Sequence, residues 1–175
     1  MAYDPRVHHR RSIRLQGYDY TQAGAYFITL TTQGREPLFG TVLDGQMHLN
    51  ALGEMVAEEW ERLERRFPSV ELDAFCVMPD HMHAILVLAD RGAGGRRAAA
   101  HEQFGAPVVR SVPTIIRSYK SSVTQRNLFL HGQDAVPLWQ RNYYEHVIRN
   151  AAALERIRRY IIENPARWSR GTGDT

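Results

Sequence analysis

Two histidines one residue apart, His81 and His83, follow a Pro79-Asp80 pair inside the stretch FCVMPDHMHAILVL at residues 75–88. Apolar runs on either side of a Pro-Asp pair read as strand, turn, strand. Side chains alternate along a strand, so His81, His83, Ile85 and Val87 share one face, while Met82, Ala84, Leu86 and Leu88 form an apolar set suited to a core. Two imidazoles at the start of one strand, on one face, can bind a single divalent cation. The same pair also suits a solvated or hydrogen-bonded strand edge. A catalytic ion ordinarily takes three ligands from protein, so a further ligand and a reactive group have to come from another part of the chain.

Residues 150–164 offer both. Asn150 is placed to cap a helix that turns Leu154, Ile157 and Ile161 inward, and Pro165 is expected to end it. Tyr160 lies at the border of that apolar stripe, and Asn164 follows four residues later on the same helix side. Standing before a proline, Asn164 is expected in the last turn or at its end. A helix docked on the open sheet face could aim Tyr160 and Asn164 at the histidines. Tyrosine at its ordinary pKa of about 10 is a weak nucleophile at neutral pH. A nearby cation polarises a phosphate and favours attack by the phenolate. Taken alone, Tyr160 reads equally as an amphipathic side chain at a core edge.

The elements that must position these groups follow from pattern. Residues 26–32 (YFITLTT) form a strand rich in aromatic and β-branched types. Residues 41–49 read as a small hairpin around Asp44-Gly45. Asn50 caps a helix with Leu52, Val56, Leu63 and Phe67 at helical spacing, ended by Pro68. Residues 70–78 alternate into a second main strand, and His81 opens the third. Ser111-Val112-Pro113 starts a helix whose buried face carries Ile115, Tyr119 and Val123, with Lys120 beside them. Residues 138–148 (LWQRNYYEHVI) form a fourth strand. The order strand, helix, strand, strand, helix, strand, helix predicts an α+β fold, the ferredoxin-like split β-α-β sandwich. Two helices cover the Met82/Leu86 face of its antiparallel sheet, and the C-terminal helix lies on the histidine face.

The 175 residues suit a single domain, 1–175, with one core. Within it, residues 1–20 read as an irregular basic arm and 91–105 as a flexible loop of linker composition. Hydrophobic content of 43% and charged content of 23% are ordinary for a globular chain. The single cysteine, Cys76, allows no internal disulfide and fits a reducing compartment. With neither a signal peptide nor a membrane-length apolar run, the expectation is a cytoplasmic protein. Net charge is only +3, yet among 22 basic residues Lys120 is the sole lysine. Arginine forks match phosphate oxygens and stack on bases, although genomic base composition alone can turn lysine into arginine. Acidic residues gather at positions 54–73 and basic ones near both ends, a distribution that suits a nucleic-acid partner.

The residues of MPDHMH (78–83) resemble the histidine–hydrophobic–histidine signature of the HUH single-tyrosine transposases, and YIIENP (160–165) resembles their catalytic-tyrosine helix. RSIRL (11–15), GYDY (17–20) and WQRNYYEH (139–146) are similar to the branch known as REP-associated tyrosine transposases. The similarity runs from about Arg10 to Trp168. It implies the fold read above, with His81 and His83 holding Mg²⁺ or Mn²⁺ over a scissile phosphate of single-stranded DNA. Tyr160 would attack that phosphate, keep the 5′ side as a phosphotyrosine and release a 3′-hydroxyl, which permits transfer to a second strand. The implied substrates are DNA hairpins formed by palindromic repeats. Candidate DNA contacts are Arg11, Arg14, Tyr18, Lys120 and Arg141. Many single-tyrosine relatives carry glutamine four residues after the tyrosine as third ligand. Here the position is Asn164, with a shorter reach. Tyr143 and Tyr144 are rival nucleophiles without the helix context, and His146 is a fallback ligand. Monomer and homodimer both fit.

Two other readings stand beside this one. The fold also hosts non-catalytic nucleic-acid-binding modules. The predicted strands argue against that reading, because they offer His81 and His83 rather than a clear pair of stacking aromatics. A metal hydrolase using water would form no covalent adduct and would tolerate Tyr160→Phe.

Overall fold

The computed structural model describes residues 18–89, 108 and 110–168. Its elements are β1 (Gly24–Thr31), a hairpin of β2 (Gly40–Leu43) and β3 (Gln46–Leu49), α1 (Ala51–Glu61), α2 (Leu63–Arg66), β4 (Val70–Val77), β5 (His81–Leu88), α3 (Val112–His131), β6 (Tyr144–Ile148) and α4 (Ala151–Trp168). The main sheet has the order β4-β5-β1-β6 with every pair antiparallel. This is the ferredoxin-like arrangement expected from the sequence. Asp44 and Gly45 both take positive φ, 50° and 75°, which is the geometry a two-residue hairpin turn needs.

The period-two pattern decides which face is which. Tyr26, Ile28, Met82, Ala84 and Leu86 are fully buried on one side, covered by α1 and α3. Asn50 starts α1 by accepting the Gly53 N–H at 2.9 Å. Trp60 of α1 meets Tyr119 of α3 edge to face at 5.1 Å, and the Tyr119 hydroxyl donates to the Val56 carbonyl at 2.9 Å. A buried tyrosine with its hydroxyl satisfied ties the two helices together at no desolvation cost. The opposite face carries a smaller cluster, Ile85, Ile148 and Ile161, with Phe27, Ile157 and Tyr160 packed against it. That cluster is the seat of α4.

Three expectations need correcting. The helix that follows Asn50 breaks at Arg62 into α1 and α2. The fourth strand is shorter than 138–148: only Tyr144–Ile148 pairs with β1, and Trp139 makes an isolated bridge to Thr32. The last helix does not stop at Pro165 but runs on to Trp168. Proline removes one helical hydrogen bond, and tertiary contacts hold the extra turn. Gly45 of the hairpin turn lies against Ala166, and the Trp168 ring stands 5.9 Å from that of His81. The arm up to residue 17 and the stretch 91–105 lie outside the described residues.

The β2–β3 hairpin and the loop before it press closely on the start of α1. A Cβ added at Gly53 would stand 2.2 Å from the Phe39 carbonyl oxygen. Alanine normally gains about 1 kcal/mol over glycine inside a helix. Gly53→Ala is expected to reverse that sign and cost about 1–3 kcal/mol through overpacking, read from the urea midpoint of unfolding.

Candidate active site

The Pro79-Asp80 turn is held from outside. The Phe39 N–H donates to the Pro79 carbonyl at 3.0 Å, and the Thr32 N–H donates to the Asp80 carbonyl at 2.8 Å. The Thr32 hydroxyl reaches the same Asp80 oxygen at 2.9 Å. With its backbone fixed, Asp80 turns its carboxylate onto His81 Nδ1 at 2.5 Å. An ionised carboxylate can only accept, so His81 carries its proton on Nδ1. His81 is 4% exposed, and its buried Nε2 has no hydrogen-bond partner among the described residues. A buried polar atom left unpaired is costly and calls for an explanation.

His83, 2% exposed, is held at both nitrogens. The register pairs it with Thr29 of β1, and Thr29 Oγ1 lies 2.9 Å from Nδ1. The Tyr160 hydroxyl of α4 lies 3.1 Å from Nε2. Each hydroxyl can donate or accept, so the ring is satisfied in either tautomer. The two histidine rings are 4.6 Å apart. Phe27 stacks on His83 at 5.3 Å and meets Tyr160 edge-on at 6.1 Å.

Helix α4 is positioned at both ends. Asn150 accepts the Ala153 N–H at 2.8 Å as its cap. Arg158 grips Asp73 on β4 with both prongs, Nε to Oδ1 at 2.9 Å and Nη2 to Oδ2 at 2.6 Å. Tyr160, Asn164 and Trp168 follow at four-residue spacing along one stripe. Tyr160 meets His83 and Trp168 meets His81, so the stripe sets buried Asn164 between them, facing the histidine pair. The Arg167 guanidinium lies 5.5 Å over the Tyr160 ring.

Thus the structure brings together Tyr160, His81 and His83, with buried Asn164 one turn along the same helix stripe. Among the described residues no three His, Cys, Asp or Glu side chains gather to hold an ion, so an ion here needs a ligand of another type, and the Asn164 amide is one. The unpaired Nε2 of His81, aimed by Asp80, fits a metal ligand held by an outer carboxylate. Cys76 stands beside His83 in the register, but burial pushes its thiol up to about 11, so it stays protonated at neutral pH.

The other predicted contacts sit elsewhere. Arg11 and Arg14 lie outside the described residues. Tyr18 packs on Tyr20 at 4.9 Å and on Tyr26. Lys120 points its ammonium at the Gln140 and Arg141 carbonyls, at 2.5 and 3.2 Å, and burial pulls its pKa down to about 8. Lys120 and exposed Arg141 line one groove of about 550 Å³ between α3 and residues 137–143. Tyr143 belongs to that groove, whereas Tyr144 and His146 face the histidine side of the sheet. Sequence reasoning missed Thr29, Phe27 and Trp168, whose roles depend on cross-strand register and on the helix passing Pro165. Asp80 was visible as a turn residue only.

The chain belongs to one family with an uncharacterized protein of Haemophilus influenzae, 38% identical over 172 residues and spanning 95% of this chain and 93% of that protein. It is also 27% identical over 151 residues to a provisionally assigned REP-associated tyrosine transposase of the same organism, covering 85% of this chain and 74% of that one. A solved structure of a REP-associated tyrosine transposase bound to a REP hairpin shares the fold, with a TM-score of 0.57 at 22% identity over 91% of this chain and 74% of the other. No family model matches the sequence. Among the described residues no helix is long and apolar enough to cross a membrane.

The Arg158 pair holds the Asp73 carboxyl below its ordinary value of 3.8. A depressed carboxylate contributes stability above its unfolded pKa and loses it as pH falls through the folded one. Wild type is therefore expected to lose stability as pH falls below about 4 more steeply than Asp73→Asn, the two stability curves converging once the pH has passed through the folded pKa.

Proposed function

We propose that this protein cuts and rejoins single-stranded DNA at hairpins of palindromic repeats, with Tyr160 as nucleophile. The observation that carries the reading is the approach of the Tyr160 hydroxyl to 3.1 Å from His83 Nε2, beside the unpaired Nε2 of His81. Two elements far apart in the chain deliver a phenol to a histidine pair in a buried, pre-set geometry. The hairpin-bound structural neighbour, a REP-associated tyrosine transposase, supports the same substrate class.

In the proposed reaction the Tyr160 oxygen forms a bond to the phosphorus while the bond from phosphorus to the 3′ oxygen breaks. The 5′ side stays on Tyr160, and the proton lost by the phenol ends on the released 3′-hydroxyl. Attack by the 3′-hydroxyl of a second strand reverses the step, so the bond energy is conserved. His81, His83 and Asn164 are the residues proposed to hold Mg²⁺ or Mn²⁺. When bound, such an ion supplies Lewis-acid polarisation of the phosphate oxygens. Asp80 and Thr29 orient the two imidazoles from behind. The Nε2 lone pair of His83 cannot serve as a ligand and accept the phenol hydrogen together, so Tyr160 has to leave His83 before it attacks. Arg167 lies over the Tyr160 ring and would set a positive charge beside the phosphate approached by the phenol.

The test is a denaturing gel for a covalent protein–DNA adduct, using single-stranded hairpin oligonucleotides with Mg²⁺ or Mn²⁺. Tyr160→Phe should abolish the adduct, as should chelation. Asp80→Asn or Thr29→Val should raise the metal concentration required by about 10–100-fold. Hairpin binding without an adduct in either metal refutes the reaction and leaves a binding module. Cleavage that survives Tyr160→Phe refutes Tyr160 and favours the water-using hydrolase.

A further inference from the structure

Helix α4 leans toward one side of the histidine face. Its Arg158–Asp73 pair ties it to β4, and it also meets β5 and the hairpin. Toward β1 and β6 its seat ends at half-buried Phe27 and buried Ile148, and Tyr144 of β6 lies beyond them toward solvent. The registers Thr29↔His83, Thr29↔Tyr144 and Phe27↔His146 put all of them on the histidine side of the sheet. Tyr144 is 52% exposed, a large aromatic ring offered to solvent. Its partner is Phe27, edge-on at 6.2 Å, and Phe27 in turn stacks on His83 and touches Tyr160. A continuous line of rings therefore runs from the reacting hydroxyl out to solvent. The sequence offered no clear pair of stacking aromatics on the strands; register makes half-buried Phe27 and exposed Tyr144 diagonal neighbours on adjacent strands.

The charge beside these rings has one sign over most of the border. Arg156 and Arg167 share the Tyr160 border of α4, at four residues before and seven after, opposite the border that gives Arg158 to β4. Arg156 is exposed, and Arg167 reaches over the Tyr160 ring while pairing with Glu163 at 2.8 Å. Aromatic rings flanked by arginine are the recognition surface of a single nucleic-acid strand, which stacks a base and lays its phosphates along the cations.

We propose that Phe27 and Tyr144 form a stacking platform for one unpaired base of single-stranded DNA flanking the phosphate presented to Tyr160, with Arg156 and Arg167 along its backbone. The inference rests on the proposed DNA substrate but not on the covalent chemistry. It assigns Tyr144 a ring function rather than a hydroxyl function.

The experiment uses the full chain and hairpin oligonucleotides carrying 2-aminopurine at successive positions of the single-stranded flank, with binding read by anisotropy and stacking by 2-aminopurine quenching. One flank position should quench. Tyr144→Ala should abolish that quench and weaken binding about tenfold, whereas Tyr144→Phe should keep both. Unchanged quenching and affinity in Tyr144→Ala overturn the platform even if the adduct forms normally, and loss of both in Tyr144→Phe overturns the stacking role. A Tyr144-dependent quench with no adduct refutes strand transfer and leaves the platform standing. Failure of the wild-type chain to bind any of the oligonucleotides removes both.

Discussion

The carbonyl oxygen of Asp80 receives both the N–H and the hydroxyl of Thr32, and much of the molecule depends on that one buried acceptor. Thr32 stands at the end of β1, where the chain must leave the sheet, and bridges to Trp139 on its other side. By gripping the β4–β5 turn it joins three distant segments at one point. The turn cannot then rotate, Asp80 cannot swing away, and the His81 ring cannot choose another rotamer. A histidine on a free turn would lose its orientation to side-chain entropy, whereas one braced from behind holds its geometry in advance.

The same economy governs α4. A helix that sets Ile161 on Ile85, Ile148 and a few half-buried neighbours has a small apolar seat, so its place is set by directional contacts at its margins. Arg158 fixes the β4 side with a two-pronged ion pair, and the turn beyond Pro165 fixes the far end against the hairpin. Together these margins hold Tyr160 over His83.

The sequence disclosed what is local and periodic. Alternation along β5 put His81 and His83 on one face and Met82 and Leu86 on the other, and the structure has them so. The element order gave the sheet topology, and Asn50 and Asn150 were legible as caps because a cap bonds within three residues. Pro165 misled, since a local propensity for stopping was overruled by Ala166 and Trp168 finding partners in the hairpin and at His81. Thr29 was invisible as a partner of His83 because only the register of two strands separated by half the described chain brings them together. Phe27 and Tyr144 escaped for the same reason. Residue type and alternation placed the two histidines side by side, but not the neighbours that hold them.

One consequence of the topology concerns the order in which the molecule is made. The β1 residues Gly24 to Thr31 find their β5 partners 50 to 64 positions further on, and α4 follows every strand. A chain emerging from the ribosome can assemble sheet, turn and both histidines while Tyr160 is still untranslated or held in the exit tunnel. The hydroxyl joins last, when nothing upstream is left to fold. In a nascent polypeptide of this design the histidine pair is therefore built before the helix that carries Tyr160 can close over it.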